Sequence, residues 1–354
     1  MTGRAWPWRR DPAAVAEGLA AWAAAWRGPG AAVTGVRAPG SGMSNDTVLF
    51  SLDGEALVAR LAPAPDAWPT FPAYDVDRQR RVIDLVRERT AVPVPEVVHV
   101  EADAAWLGVP FMVSRAVAGD VPADSPPYLL DREGWFLRGS ADDHRRLEES
   151  TVEVLARLHE VPGDGEAAAF LHLDAPGATP LARQLADQRA YYEWARDGQA
   201  VPLLERAFAV LGDGVPANDG CVLLWGDSRP GNIIYRDFAP VAVLDWEMAT
   251  VGPPEVDVAW ATFFHRFFAS FGEALGMAVP AMFDPAATAA RYERLSGRAL
   301  DDLRWYEAFA GLRFGIILAR MSLRSIAFGI QQPPADPDDL TLFAPLLRRL
   351  LDDL

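Results

Sequence analysis

Three short apolar runs, each closed by polar residues, constrain this chain more than any other feature. They lie in LLWGDSRPGNIIYRDFAPVAVLDWEMATVGPPEVDVAW, residues 223–260. Apolar runs of this length bounded by turn residues read as strands. CVLLWG leads into the turn GDSRPGN, whose Gly, Pro and Asn suit tight backbone. NIIY is a second short strand and VAVLDW a third. Asn232 follows Asp227 by five residues, and Asp245 follows Asn232 by thirteen. The spacing predicts that all three meet at one rim of a small sheet. An acid and an amide bind hard cations through oxygen and suit Mg²⁺ bridging phosphates. The remaining acid can orient a hydroxyl and accept its proton. Taken singly, each residue reads as a helix cap or turn former; together, between apolar strands, they read as a site.

The rest of the chain sets the limits. Its 354 residues, half of them hydrophobic, can bury a substantial core in one large domain or two ordinary ones. The net charge of −16 argues against nucleic acid, whose binding rests on basic contacts to phosphate. All 33 basic residues are arginine, so any cation beside a phosphate must be arginine. No apolar run approaches the roughly 18 to 20 residues that span a membrane. The N-terminal MTGRAWPWRRDP lacks the apolar core of a secretory signal. The single cysteine, Cys221, cannot form an internal disulfide, so the expected location is the cytoplasm. Five scattered histidines and one cysteine make no zinc site.

Along the chain, PAAVAEGLAAWAAAW reads as a helix with Asp11 at its N-cap and Pro12 at its first position. Strands separated by turns follow, and Asp53-Gly54 is a hairpin turn. YDVDRQRRVIDLVRERT is a helix with Val76, Val82, Ile83 and Val86 on one face. VPVPEVVHVEAD and VPFMVSRAV are further strands. This gives a strand-rich unit over residues 1–115. DVPADSPPY is a proline-rich connection, and helices dominate the second unit, 116–354, apart from the strands around Asp227. GSGMSN does not make a dinucleotide-binding loop, because its last glycine is missing and a strand follows it.

Asp-x4-Asn followed by a distant Asp resembles the protein-kinase catalytic loop and its metal-binding Asp. The wording is closer to the aminoglycoside phosphotransferase family, in the branch associated with acyl-CoA dehydrogenases. The residues that carry the resemblance are Gly226-Asp227, Asn232, Asp245-Trp246 and Gly252-Pro253-Pro254-Glu255-Val256-Asp257. VARLAP, VPVPEVV, LGVPFMVSRAVAG and LARLH extend it over most of residues 35–260.

The resemblance implies an α+β, bilobal, protein-kinase-like fold, with a small β-rich N-lobe and a larger, mostly helical C-lobe. It implies ATP and Mg²⁺ as cofactors, with ATP in the cleft between the lobes and a hydroxylated small molecule as phosphate acceptor. Asp227 matches the catalytic base, and Asn232 and Asp245 match the Mg²⁺ ligands. Arg60 matches the strand lysine that grips nucleotide phosphates, and Arg229 matches a kinase lysine on the transferred phosphate. Ser44 and Asn45 lie in the loop expected over the phosphates. Ser114 and Ala116 fall where backbone groups would meet adenine. The family's usual His before Gly-Asp is Trp225, a position that supports the loop, and Glu247 replaces the Gly of the kinase metal motif. Gln79 stands where a helix Glu would pair with Arg60, so Asp75 or another acid of that helix is an alternative partner.

Asp257 is expected to anchor a helix start and stabilise the loop, and His159 to be a packed structural histidine. Trp260, Phe263, Phe264, Phe267 and Phe268 form an aromatic stripe at helical spacing expected to be core, with its edge open to line the acceptor site. An aminoglycoside acceptor would need several acids facing the pocket; the C-terminal half holds acids such as Asp301, Asp302 and Glu307, which the sequence does not place. The alternatives are a protein kinase, although no Ala-Pro-Glu segment follows Asp245, and a non-catalytic nucleotide-binding protein.

Overall fold

The structure is a computed structural model that describes residues 10–38, 46–124 and 127–354. The chain divides into two compact units. One comprises Met1–Asp84 and Pro95–Ala118, the other Leu85–Val94 and Gly119–Leu354. The first unit ends at Ala118 and leaves Leu85–Val94 to the second.

In the first unit, α1 (Pro12–Arg27) starts where expected, with Asp11 Oδ1 accepting the Ala13 N–H at 3.2 Å. The strands are β1 (Val33–Arg37), β2 (Asp46–Leu52), β3 (Glu55–Leu61), β4 (Val97–Glu101) and β5 (Phe111–Arg115). They form one antiparallel sheet in the order β1-β2-β3-β5-β4. Asp53 and Gly54 both have positive φ, which closes the two-residue β2–β3 hairpin with Leu52 opposite Glu55. Strand alternation then decides what β3 buries. Leu57, Ala59 and Leu61 are fully buried in a core shared with Leu19 and Trp22 of α1 and Phe111 of β5. Val58 and Arg60 stand on the opposite face. The helix α2 (Val76–Arg89), whose residues from Leu85 onward group with the second unit, buries Val76, Val82, Ile83 and Val86, the face its periodicity marks.

The second unit is mostly helical: α3 (Ala141–Leu158), α4 (Pro180–Ala195) and α5 (Pro202–Asp213), then α6 (Glu255–Ala274), α7 (Pro285–Ser296), α8 (Leu303–Ala327) and α9 (Ala344–Asp352). Between α5 and α6 lie β6 (Val222–Leu224), β7 (Ile233–Arg236), β8 (Ala239–Val243) and β9 (Thr250–Gly252). The expected single small sheet is corrected here. Strand β7 pairs with β8, while β6 pairs with β9, a strand beyond the three expected. The ten-residue reach from Leu224 to Ile233 turns the chain away from β6, and TVG after Asp245 returns to fill that edge.

The aromatic stripe of α6 is core. Phe263, Phe264 and Phe267 pack their rings against Phe314 of α8, with centroids 6.1, 4.5 and 5.0 Å apart. Among the described residues, no helix is long and apolar enough to cross a membrane.

Candidate active site

Asp227 owes its position to two fixed points in the second unit. Strand β6 is buried, and the chain leaves it through Trp225 and Gly226. Gly226 has φ +88°, and a Cβ there would sit 2.1 Å from the Met248 carbonyl oxygen, so only glycine fits. Asp257, wholly buried in the first turn of α6, takes the other side of the turn. Its Oδ2 accepts the Trp225 N–H at 2.7 Å and its Oδ1 the Gly226 N–H at 2.9 Å. Its carbonyl accepts from the Ser228 hydroxyl at 2.7 Å. The anchoring role expected for Asp257 is thus what its contacts provide. His159 is packed, as expected, and it also orients that anchor. Its Nε2 lies 3.2 Å from Asp257 Oδ2, and its Nδ1 lies 2.9 Å from the Tyr292 hydroxyl.

The Asp227 carboxylate receives three side-chain donors. Arg229 Nε donates to Oδ1 at 3.0 Å, and the indole Nε1 of Trp260 donates to the same oxygen at 2.8 Å. Asn232 Nδ2 donates to Oδ2 at 2.6 Å and to the Asp227 carbonyl at 3.1 Å. A single 3₁₀ turn over Pro230–Asn232 brings Asn232 back beneath Asp227. Arg229 is held from its far end by Asp124, whose Oδ1 accepts from Nη1 at 2.6 Å, and it lies over the Phe264 ring at 5.2 Å. Burial alone would favour losing its proton, but Asp124, Asp227 and Asp245 outweigh that and raise its pKa. Gly231 makes room for this pair. A Cβ on it would come within 2.5 Å of Arg229 Nη1 and 2.7 Å of Asp124 Oδ1.

Asp245 is set by the β7–β8 ladder. Ile233 pairs with Val243, and the Leu244 N–H donates to the Asn232 carbonyl at 2.8 Å. One residue later Asp245 adopts φ +60°, unusual outside glycine and often a mark of a constrained functional position. Trp225 secures this segment. Its Nε1 donates to the carbonyls of Leu244 at 2.8 Å and Asp245 at 3.1 Å. So the residue in the family's histidine position supports the loop through an indole N–H.

This donor set fits Mg²⁺. The amide nitrogen of Asn232 is committed to Asp227, which leaves the amide oxygen as the side-chain group for a cation. Few protein ligands, with phosphate oxygens and water completing the shell, is the pattern Mg²⁺ favours.

The remaining expected residues belong to the first unit. Arg60 lies on β3 opposite Thr47 and Met112, and Gln79 is buried in α2. Asp75 caps that helix by accepting the Arg78 N–H at 2.8 Å, while Asp77 and Asp84 both pair with Arg80. Ser114 lies inside the sheet, paired with Val58 and Val97. The Ala116 N–H donates to the Ala56 carbonyl at 3.0 Å. Ser44 and Asn45 lie outside the described residues.

Three residues were missed by sequence reasoning. Asp124 sits in the proline-rich connection and gave no signal. Trp260 was legible as part of a core stripe with an edge toward the acceptor site, but not as a donor to Asp227. Arg313 of α8 donates from Nη2 to the Gly226 carbonyl at 2.9 Å and stacks over Trp260 at 4.3 Å. The acids considered for an aminoglycoside serve the fold. Asp301 accepts from Asn218, Asp302 caps α8, and Glu307 is buried against Thr262 and Arg266.

Comparison with known proteins identifies the fold and the family. An acyl-CoA dehydrogenase family member 11 of Gallus gallus is 30% identical over 237 residues, covering 65% of this chain but only 28% of that protein. The chain thus spans little more than a quarter of that relative's length. A structure from Ralstonia eutropha JMP134, described provisionally as an aminoglycoside phosphotransferase, superposes with TM-score 0.66 at 24% identity, covering 95% of this chain and 97% of that one. A thermostable aminoglycoside phosphotransferase APH(4)-Ia bound to ADP and hygromycin B superposes with TM-score 0.53 at 18% identity, covering 90% and 95%. These likenesses establish the kinase-like α+β fold. The model of the phosphotransferase enzyme family, APH, matches residues 35–310, a span that contains Asp227, Asn232 and Asp245, and this chain belongs to that family.

Proposed function

We propose that this protein transfers the γ-phosphoryl group of ATP, with Mg²⁺, to a hydroxyl of a small molecule. Membership of the phosphotransferase family supplies the reaction class. The observation that carries the assignment of roles is the Asp227 carboxylate, fixed by Asn232, Arg229 and Trp260 at the exit of a buried strand. The ADP and hygromycin B held by one structural relative support a nucleotide and a hydroxylated acceptor.

The acceptor oxygen forms a bond to the γ-phosphorus, the bond to the β–γ bridging oxygen breaks, and ADP departs. The hydroxyl proton passes to Asp227. Bound Mg²⁺ would neutralise charge on the phosphates, held by the Asn232 amide oxygen and the Asp245 carboxylate. Arg229 lies next to the base and offers positive charge toward the transferred group, and Arg60 fills the phosphate-gripping role. Positioning and electrostatics account for most of the catalysis in such sites.

The test is Asp227→Asn. The variant keeps its shape but loses the charge and the proton acceptor. Base catalysis contributes about 10²- to 10⁴-fold. A phosphorylation screen over hydroxylated metabolites and antibiotics identifies the acceptor, and turnover with that acceptor should fall by about that factor while Mg²⁺-ATP binding stays near normal. A loss appearing mainly as weaker ATP binding would reassign Asp227 as a metal ligand.

A further inference from the structure

The oxygens of Asp227 are not equivalent. Oδ1 accepts two hydrogen bonds, from Arg229 Nε and Trp260 Nε1, which occupy both of its lone-pair directions. Oδ2 accepts one, from Asn232, and keeps a direction open. Trp260 is fully buried, so its ring cannot swing to another partner without opening the core. Its face is covered by the Arg313 guanidinium at 4.3 Å, and the same arginine holds the Gly226 carbonyl just before Asp227. Burial pulls the pKa of Arg313 down to about 10 against the opposing pull of Asp257, Asp227 and Asp187, so the group stays charged at neutral pH. Arg313 therefore fixes the catalytic turn twice, once through its backbone and once through the indole.

We infer that Trp260, backed by Arg313, is a positioning residue that closes Oδ1 of Asp227 and leaves Oδ2 as the atom that takes the acceptor's proton. The inference rests on Asp227 being the base. The acceptor hydroxyl gives its proton to Oδ2 as its oxygen bonds to the γ-phosphorus and ADP leaves. Without the indole N–H, each carboxylate oxygen keeps one donor, Arg229 on Oδ1 and Asn232 on Oδ2, so Oδ1 and Oδ2 compete for the incoming hydroxyl. Ground-state nucleotide binding does not use this hydrogen bond, so the loss belongs in kcat.

The experiment uses the intact protein, with water as the acceptor in Mg²⁺-ATP hydrolysis. Trp260→Phe keeps the ring and removes the N–H. Its kcat should fall about tenfold or more, as expected when a hydrogen bond to a charged group is lost, while KM for ATP changes less than about twofold. Independently, ¹⁵N-indole spectra of the wild type should contain a cross-peak, identified by its absence in Trp260→Phe, that is displaced in Asp227→Asn. An unchanged kcat in Trp260→Phe, a loss confined to KM, or an indole signal indifferent to Asp227→Asn overturns the inference. The underlying base reading fails separately, if hydrolysis survives Asp227→Asn. Hydrolysis lost in Asp227→Asn but intact in Trp260→Phe removes the positioning role alone.

Discussion

Asp257 and Gly226 stand 31 residues apart in the chain, yet Asp257 Oδ1 accepts the Gly226 N–H at 2.9 Å inside a fully buried site. With the Trp225 N–H on Oδ2, the pair ties the start of α6 to the turn that presents Asp227. An anion in the first turn of a helix is also favoured by the helix dipole. Asp257→Asn retains one acceptor oxygen and sets an amide NH₂ against a buried N–H. An unsatisfied buried donor costs about 1–3 kcal/mol. The variant should lose about that much in urea unfolding, and its turnover should fall as the turn loosens. Equal stability and turnover would show that the turn holds without this anchor.

Metal dependence should separate the two proposed cation ligands. Asp245 alone brings a full negative charge, while Asn232 brings an amide oxygen and also holds Asp227 Oδ2. Asp245→Asn should therefore lose more Mg²⁺-dependent ATP affinity than Asn232→Ala. Asn232→Ala should lose turnover in addition. Calorimetry with and without Mg²⁺ measures the first difference, and an unaltered Mg²⁺ dependence in Asp245→Asn would overturn the ligand assignment.

Gly231→Ala tests the Arg229–Asp124 pair without removing either charge. The new Cβ would fall 2.5 Å from Arg229 Nη1 and 2.7 Å from Asp124 Oδ1. Both are ends of side chains, so the fold can yield while the catalytic geometry shifts. Turnover should drop about tenfold, in line with the sensitivity of such sites to small displacements, while the Tm moves little. A drop in Tm with normal turnover would point to a packing role.

His265 makes stability depend on pH. Burial pushes its pKa down to about 4 from 6.5, against a hydrogen bond to the Pro280 backbone. Between those values the unfolded chain binds more protons than the folded one, so stability rises with pH across this window. The contribution is complete above about pH 6.5 and is lost as pH falls toward 4, a range worth up to about 3 kcal/mol. The stability difference between wild type and His265→Phe, from urea titrations at pH 7, 6 and 5, should narrow in favour of the variant as pH falls. A difference constant with pH would show that His265 protonates freely in the fold.

The sequence determined what short-range chemistry can carry. Five residues and one 3₁₀ turn link Asp227 to Asn232, and one hairpin brings Asp245 alongside, so their spacing was a geometric statement. Alternation along β3 put Arg60 and Val58 on one face, because a strand has period two. Asp257 at a helix start was legible as an anchor, because orphan N–H groups and loop donors both favour an acid there.

Only the tertiary structure decided which residues meet the Asp227 side chain from afar. Helical spacing marked Trp260 as core but could not say that its N–H would reach a carboxylate 33 residues earlier. Asp124 meets Arg229 across 105 residues, and Arg313 meets Gly226 across 87. The same holds for β9, too short to read as a strand until β6 lies beside it. Local pattern fixes which face of an element is buried; which partner lies across that face depends on how distant elements pack, and period and propensity do not encode it.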